Sequence, residues 1–143
     1  MDRLMVGAAV GVGVVLAAPL AAIIGLTAWE EGKCKDGLRE LRSVRGAVAA
    51  DLAPLHSDPL ETVSVCDSGD PPYLSTRLGA SVSPQKATRH LEGRGWRIVE
   101  TDRRPNGQIR LWGLQKKYRT ASAYLSIKKA EAAGTASLNV HLL

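Results

Sequence analysis

The chain of 143 residues has no phenylalanine, and its large aromatic side chains amount to three Trp and three Tyr. A hydrophobic core must therefore be built mainly from Leu, Val, Ile and Ala. Much of the apolar content lies in one block at the N-terminus, so the remainder suffices for one small domain. A domain of that size is only marginally stable unless something reinforces it.

Residues that carry metal sites or catalysis are also few. The two cysteines, Cys34 and Cys66, are 32 positions apart, and the three histidines, His56, His90 and His141, are scattered. A zinc site needs about four ligands at regular spacing, which this set does not offer. No P-loop, dinucleotide fingerprint, regular calcium loop or paired-carboxylate pattern occurs. We therefore predict a protein that is not an enzyme and has no catalytic residues, no cofactor and no metal site.

Charge is missing from one long stretch, the 25 residues from Leu4 to Ala28. A helix of about 20 apolar residues crosses a bilayer core, so this stretch predicts an uncleaved transmembrane anchor over residues 1–28. The alternative is a cleaved signal peptide, which leaves a secreted domain. Gly7 and Gly11 form a GxxxG pattern that predicts a helix-packing face and a homodimer through the span. A plain Gly/Ala-rich membrane helix is the competing interpretation.

Two signals about membrane topology oppose each other. More Lys and Arg follow the apolar stretch than precede it, which favours a cytoplasmic C-terminal part. An even pair of cysteines in a small domain instead suits an oxidising compartment. We give the cysteines more weight and predict a single-pass protein of the cell membrane with an extracytoplasmic C-terminal domain.

Residues 29–58 are interpreted as a helical connecting segment. Its apolar residues recur at helical spacing: Leu38, Leu41, Val48, Leu52 and Leu55. Pro54 is expected to end the helix nearby. Such a helix either packs on a partner or along the membrane, or covers the domain that follows.

Residues 59–143 predict an extracytoplasmic α+β domain. Ser83 as N-cap and Pro84 at the first helical position predict a helix that ends near Gly93 or Gly95. Four alternating runs predict a meander, namely 96–101, 109–115, 121–128 and 136–142, and Asn106-Gly107 predicts a hairpin turn. The stretches 61–65 and 73–78 are further extended candidates. We predict one helix packed on a mostly antiparallel sheet of four to five strands, with the last strand at an exposed edge.

The loop CDSGDPPY and the helix SPQKATRHLEGRGW, placed after an anchor and a short helix, carry a resemblance. Their order resembles small membrane-anchored or lipoprotein-like extracytoplasmic proteins of actinobacteria, over roughly residues 64–99. The resemblance implies the location and the fold and transfers no active site. The chain departs from the lipoprotein type, because EGK rather than a lipobox precedes Cys34.

Basic charge is concentrated in the distal part of the chain. From Pro84 to Leu143 there are twelve Lys or Arg against four acids, whereas Trp29 to Ser83 has six against nine. Threading the meander predicts two basic ends of the sheet: Arg103, Arg104, Lys128 and Lys129 at one end, and Lys116, Lys117 and Arg119 at the other. These are candidate contacts for a lipid headgroup or an anionic wall polymer, with ordinary solubility charge as the alternative. Nucleic acid is not predicted, because no known reading motif is present.

The sequence thus predicts a non-enzymatic membrane protein that acts as an interaction or accessory subunit of a membrane or envelope assembly, with a protein partner there. The alternative is a binding module whose basic surface holds an anionic ligand. No residue pattern supplies Cys66 with a catalytic base, and too few potential metal ligands are near it in the sequence. We therefore predict a disulfide between Cys34 and Cys66 that ties the membrane-proximal segment to the first strand and its loop.

Overall fold

The structure of the protein is a computed structural model that describes residues 32–130 and 134–143. The predicted anchor, residues 1–28, and its Gly7 and Gly11 therefore lie outside the described residues. Among the helices that are described, none is long and apolar enough to cross a membrane.

Within the described residues the fold is α+β, with two helices on one antiparallel sheet. Helix α1 covers residues 32–52 of the described part, and α2 runs over Pro84–Gly93. The strands are β1 (Glu61–Val63), β2 (Tyr73–Arg77), β3 (Arg97–Arg103), β4 (Ile109–Lys117), β5 (Ser122–Lys128) and β6 (Ser137–Leu142). Their order in the sheet is β1-β2-β6-β5-β4-β3. The predicted fold class is confirmed, but the sheet has six strands rather than four to five.

The prediction that the last strand forms an edge is wrong. β6 pairs with β2 on one side and with β5 on the other. It is thus inserted between the β1–β2 hairpin and the β3–β5 meander. Leu138 and Val140 of β6 are fully buried, so this strand is the centre of the sheet and β1 and β3 are its edges.

Helix α1 is part of the core and covers the sheet. Its stripe is at most 3% exposed: Leu41, Val44, Val48, Leu52 and, just after the helix, Leu55. Val44 completes the helical spacing of that stripe, whereas Leu38 is only partly buried. The interpretation in which the stripe covers the following domain therefore holds, and the boundary predicted at residue 58 falls inside a single core.

Helix α2 forms as its local signals predict. The Ser83 side chain accepts a hydrogen bond from the Lys86 backbone N–H at 3.2 Å, and Pro84 occupies the first turn. Gly95 follows the helix at φ +87°, a conformation that favours glycine. Ala87 and Leu91 are buried against the sheet, so this amphipathic helix extends the layer that α1 begins.

Two of the glycines in α1, Gly37 and Gly46, should respond differently to substitution. A Cβ atom at Gly46 would have no neighbouring atom within 4 Å, whereas a Cβ atom at Gly37 would lie 3.3 Å from the Pro72 ring. We expect Gly46→Ala to raise the free energy of unfolding by about 0.5–1 kcal/mol, because alanine loses less backbone entropy in a helix. Gly37→Ala should gain less, since the new methyl group crowds Pro72. Urea denaturation of both variants checks this, and an unchanged or lowered stability of Gly46→Ala contradicts it.

Candidate functional site

The most concentrated polar arrangement in the described chain surrounds Asp51 near the end of α1. Its side chain is 4% exposed. Oδ2 accepts hydrogen bonds from Trp96 Nε1 at 3.0 Å, Lys116 Nζ at 2.6 Å and the Tyr118 hydroxyl at 2.8 Å. Oδ1 accepts one from Arg94 Nε at 3.1 Å. We call these five residues the Asp51 cluster.

The donors of the Asp51 cluster come from three parts of the fold. Arg94 follows α2, Trp96 precedes β3, and Lys116 and Tyr118 lie at the end of β4. Lys116 also donates to the Arg94 carbonyl at 2.7 Å, and the Trp96 and Tyr118 rings meet edge to face with centroids 6.1 Å apart. Asp51 therefore joins α1 to both the second helix and the sheet.

Electrostatics keep this carboxylate charged. Burial by itself raises the pKa of Asp51, but hydrogen bonds from Lys116, Tyr118 and Trp96 outweigh it and hold the pKa below its usual value. Burial, followed by the bond to Asp51, raises the pKa of Tyr118. With four donors on its two oxygens, the carboxylate has little remaining capacity to accept a substrate proton. The arrangement therefore fits a structural clamp rather than a general base.

The fold brings together most of the basic residues predicted for the first end of the sheet. Arg104, Lys128 and Lys129 line a cleft of about 240 Å³, which we call the basic cleft. Arg110 also lines it and donates to Asp102 Oδ2 at 2.5 Å. Arg103 lies beside it on β3, with its guanidinium bonded to the Gly107 carbonyl at 3.2 Å.

The second predicted basic end is divided by the structure. Lys116 belongs to the Asp51 cluster and has only a 20% exposed side chain. Lys117 and Arg119 are exposed at the turn between β4 and β5. Arg97 and Lys117 line a groove of about 570 Å³ that also contains Lys116. Of the three charges predicted for this end, Lys117 and Arg119 are thus accessible and Lys116 is engaged with Asp51.

The predicted cysteine pair is at disulfide-bonding distance. The Cα atoms of Cys34 and Cys66 are 5.8 Å apart, a separation typical of a disulfide. Cys34 lies near the start of the described part of α1, and Cys66 opens a short 3₁₀ turn, Cys66–Ser68, between β1 and β2. The bond therefore ties the helix to the β1–β2 hairpin at its loop.

The sheet face opposite the helices carries a row of partly exposed rings. Tyr73 and His141 are stacked with centroids 4.9 Å apart, and Tyr124 is opposite His141 on β5. Burial lowers the pKa of His141, whereas burial, together with the bond to Glu100, raises the pKa of Tyr124 to about 12. None of the three histidines lies in a group of three or more potential metal ligands within the described ranges.

Sequence reasoning missed Asp51, Arg110 and Arg97. Asp51 looks like an ordinary polar residue beside the apolar stripe of a helix, because its side-chain donors lie 43 to 67 positions further along the chain. Arg110 and Arg97 alternate with apolar residues in their strands. Only the pairing of the strands shows that Arg110 lies in the basic cleft and Arg97 beside Lys117.

Comparison with known proteins adds no relative from which a role could be transferred. No family model, curated protein or solved structure matches the chain.

Proposed function

We propose that the chain is a non-enzymatic, single-span membrane protein whose extracytoplasmic α+β domain acts as an interaction or accessory subunit of a membrane or envelope assembly. The observation that carries the proposal is the Cys34–Cys66 pair. Cys34 lies six positions after the 25-residue uncharged stretch, and a disulfide from it to Cys66 suits an oxidising compartment.

The packing of α1 supports the same proposal. The described part of α1 begins four positions after Ala28, and its apolar stripe belongs to the core of the domain, so few residues separate that core from the proposed anchor. Asp51, the most buried carboxylate of the described chain, accepts hydrogen bonds from side chains that join α1 to the rest of the domain. A domain that starts this close to a membrane anchor suits docking to a neighbouring membrane protein.

Protease protection of the full chain tests the location. With an epitope at the C-terminus, we expect the chain to remain in the membrane fraction after alkaline extraction, and the epitope to be digested in spheroplasts without detergent. A chain that is released by alkali, or an epitope that is protected in spheroplasts, contradicts the proposal. Purification in mild detergent after cross-linking then asks whether one membrane protein accompanies the chain in fixed ratio.

The basic cleft favours a second candidate function, a module that holds an anionic ligand. Arg104, Lys128 and Lys129 converge there, and each near-surface Lys or Arg contributes about 1 kcal/mol at an anionic membrane. The cleft lies at the end of the sheet opposite Lys117, which provides a matched comparison.

Charge reversal tests this second function. We expect Lys128→Glu with Lys129→Glu to weaken retention on anionic liposomes about 30-fold or more, because two attractive charges become repulsive. Lys117→Glu with Arg119→Glu changes the net charge equally and should have a smaller effect. Retention that is insensitive to salt, or equal losses in both pairs, assigns binding to overall charge and not to the cleft.

A further inference from the structure

The two edges of the sheet are unequal. β1 has three residues and leads directly to the turn that holds Cys66. β3 has seven residues, and no strand of the described ranges 32–130 and 134–143 pairs with its outer side. A long edge strand presents backbone donors and acceptors to any strand that approaches.

The first half of β3 contains an exposed apolar pair. Ile98 is 41% exposed and Val99 is 54% exposed, and only Leu143 among the large hydrophobic residues described is more exposed. Edges are protected against pairing by short length, charged side chains, Pro or β-bulges; β3 carries charges and a bulge, but it has seven residues and neither Lys nor Pro. Its adjacent apolar side chains, Ile98 and Val99, nevertheless leave an exposed apolar pair along this edge.

A β-bulge sets the charges around this apolar pair. Arg97 is opposite Gln115 and Glu100 is opposite Gly113, and these two β4 residues are two apart. Residues two apart in a strand share a face, so Arg97 and Glu100 lie on one face although they are three apart. Val99 is the extra residue of the bulge. Along this edge, the exposed apolar pair Ile98 and Val99 is therefore flanked by a basic residue, Arg97, and an acidic residue, Glu100.

Tyr124 holds the acidic end of this pattern in place. Its hydroxyl donates to Glu100 Oε2 at 2.8 Å. The ring lies over Gly113, where a Cβ atom would meet the Tyr124 oxygen. The absence of a side chain at position 113 thus allows the tyrosine to reach across β4 and position the carboxylate at the edge.

We propose that β3 pairs in antiparallel fashion with β3 of a second copy of this chain, with Ile98 opposite Val99 of the second copy. In this register Arg97 lies opposite Glu100 of the second copy. By the twofold symmetry Glu100 also lies opposite Arg97 of the second copy, so one ion pair forms on each side of the apolar centre. Opposite charges directly across an antiparallel pair are stabilising, and like charges there are destabilising. The register that places Arg97 opposite Arg103 is disfavoured for that reason.

Association through a single strand pair buries little area, so the dimer should be weak and concentration-dependent. Sedimentation of the full chain in detergent, over a range of concentrations, measures its affinity. We expect Arg97→Glu and Glu100→Arg, each alone, to lower the dimer affinity about ten-fold or more, because both ion pairs become repulsive. Arg119→Glu, in the β4–β5 turn, should leave the affinity unchanged.

A mixture of the two reversal variants provides the decisive measurement. When Arg97→Glu and Glu100→Arg chains are combined, the introduced Glu lies opposite the introduced Arg, and the two native residues also oppose each other. The mixture should therefore regain wild-type affinity and form only mixed dimers. Where either variant does not fold, Val99→Thr is used instead, because it changes an exposed side chain almost isosterically; it should weaken the dimer several-fold.

Three results overturn the proposal. The first is a wild-type chain that stays monomeric at all concentrations. The second is a dimer whose affinity neither reversal nor Val99→Thr changes, which places the contact elsewhere, for example in residues 1–28. The third is a mixture of folded reversal variants that does not regain affinity. None of these outcomes depends on the membrane location proposed above, so failure here is distinguishable from failure there.

Discussion

Replacement of Asp51 by Asn should cost about 3 kcal/mol of unfolding free energy, the largest loss expected from any single polar substitution in the described chain. The carboxylate is 4% exposed and accepts four hydrogen bonds. An amide of the same size turns two N–H donors toward groups that are themselves donors. Lys116, with a 20% exposed side chain, then loses its counter-charge.

Denaturant unfolding measures this loss, and Asp58→Asn is the matched control. Asp58 pairs with Arg77 at 2.7 Å, but both side chains are substantially exposed, at 43% and 67%. An exposed pair contributes little, so the control should lose less than about 1 kcal/mol. Equal losses in the two variants would show that burial of Asp51 is not what makes it important.

The pH dependence provides a second test of the Asp51 cluster. The pKa of Asp51 is lower in the folded than in the unfolded chain, so the folded state binds fewer protons. Its stabilising contribution is therefore fully present above the unfolded pKa of about 4 and is lost as pH falls through the folded pKa. The difference in unfolding free energy between wild type and Asp51→Asn should shrink below about pH 4. A difference that stays constant down to about pH 2 contradicts this account.

Removal of both cysteines, Cys34→Ser with Cys66→Ser, should lower the free energy of unfolding by roughly 3–4 kcal/mol. The two cysteines are 32 positions apart, and a cross-link that closes a loop of this size restricts the unfolded chain by about that amount in the chain-entropy model. Neither cysteine belongs to the buried core, so the folded state should keep its structure. For a small domain this loss is a large share of total stability.

Reductant supplies the control for the cysteine variant. Wild type in reductant should unfold at the same urea concentration as the double variant, and the double variant should not respond to reductant. Intact-mass measurement after alkylation without reduction should find no free thiol in the native protein. Two freely alkylated thiols would exclude the disulfide and would also weaken the argument for an oxidising compartment.

Local patterns were sufficient for most of the individual elements. The Ser83-Pro84 start of α2, the Asn106-Gly107 turn and the alternation in β5 each depend on residues within a few positions of one another. Ala123, Leu125 and Ile127 of β5 are fully buried, as alternation predicts. Such patterns record backbone preference and the side that faces the core, and both are local properties.

The pairing of the cysteines was also predictable, although for a different reason. With two cysteines in the chain, only one intramolecular disulfide is possible in an oxidising compartment, so the pairing follows from the number of cysteines without knowledge of the fold. The stripe of α1 was recognised in the same way from its spacing. What it packs against was left as two alternatives, because an amphipathic helix has the same sequence whether its apolar face meets a partner or its own domain.

The sequence by itself determined the α+β class, the helix and strand periodicities, the apolar N-terminal stretch and the two cysteines available for one bond. Tertiary structure alone decided that β6 is central, that β3 is the long open edge, and that Asp51 collects donors from the ends of α2 and β4 and the start of β3. The physical reason is that strand order and side-chain networks depend on pairs of residues far apart in the chain. No local preference distinguishes Asp51, buried among four donors, from an aspartate on the outside of a helix.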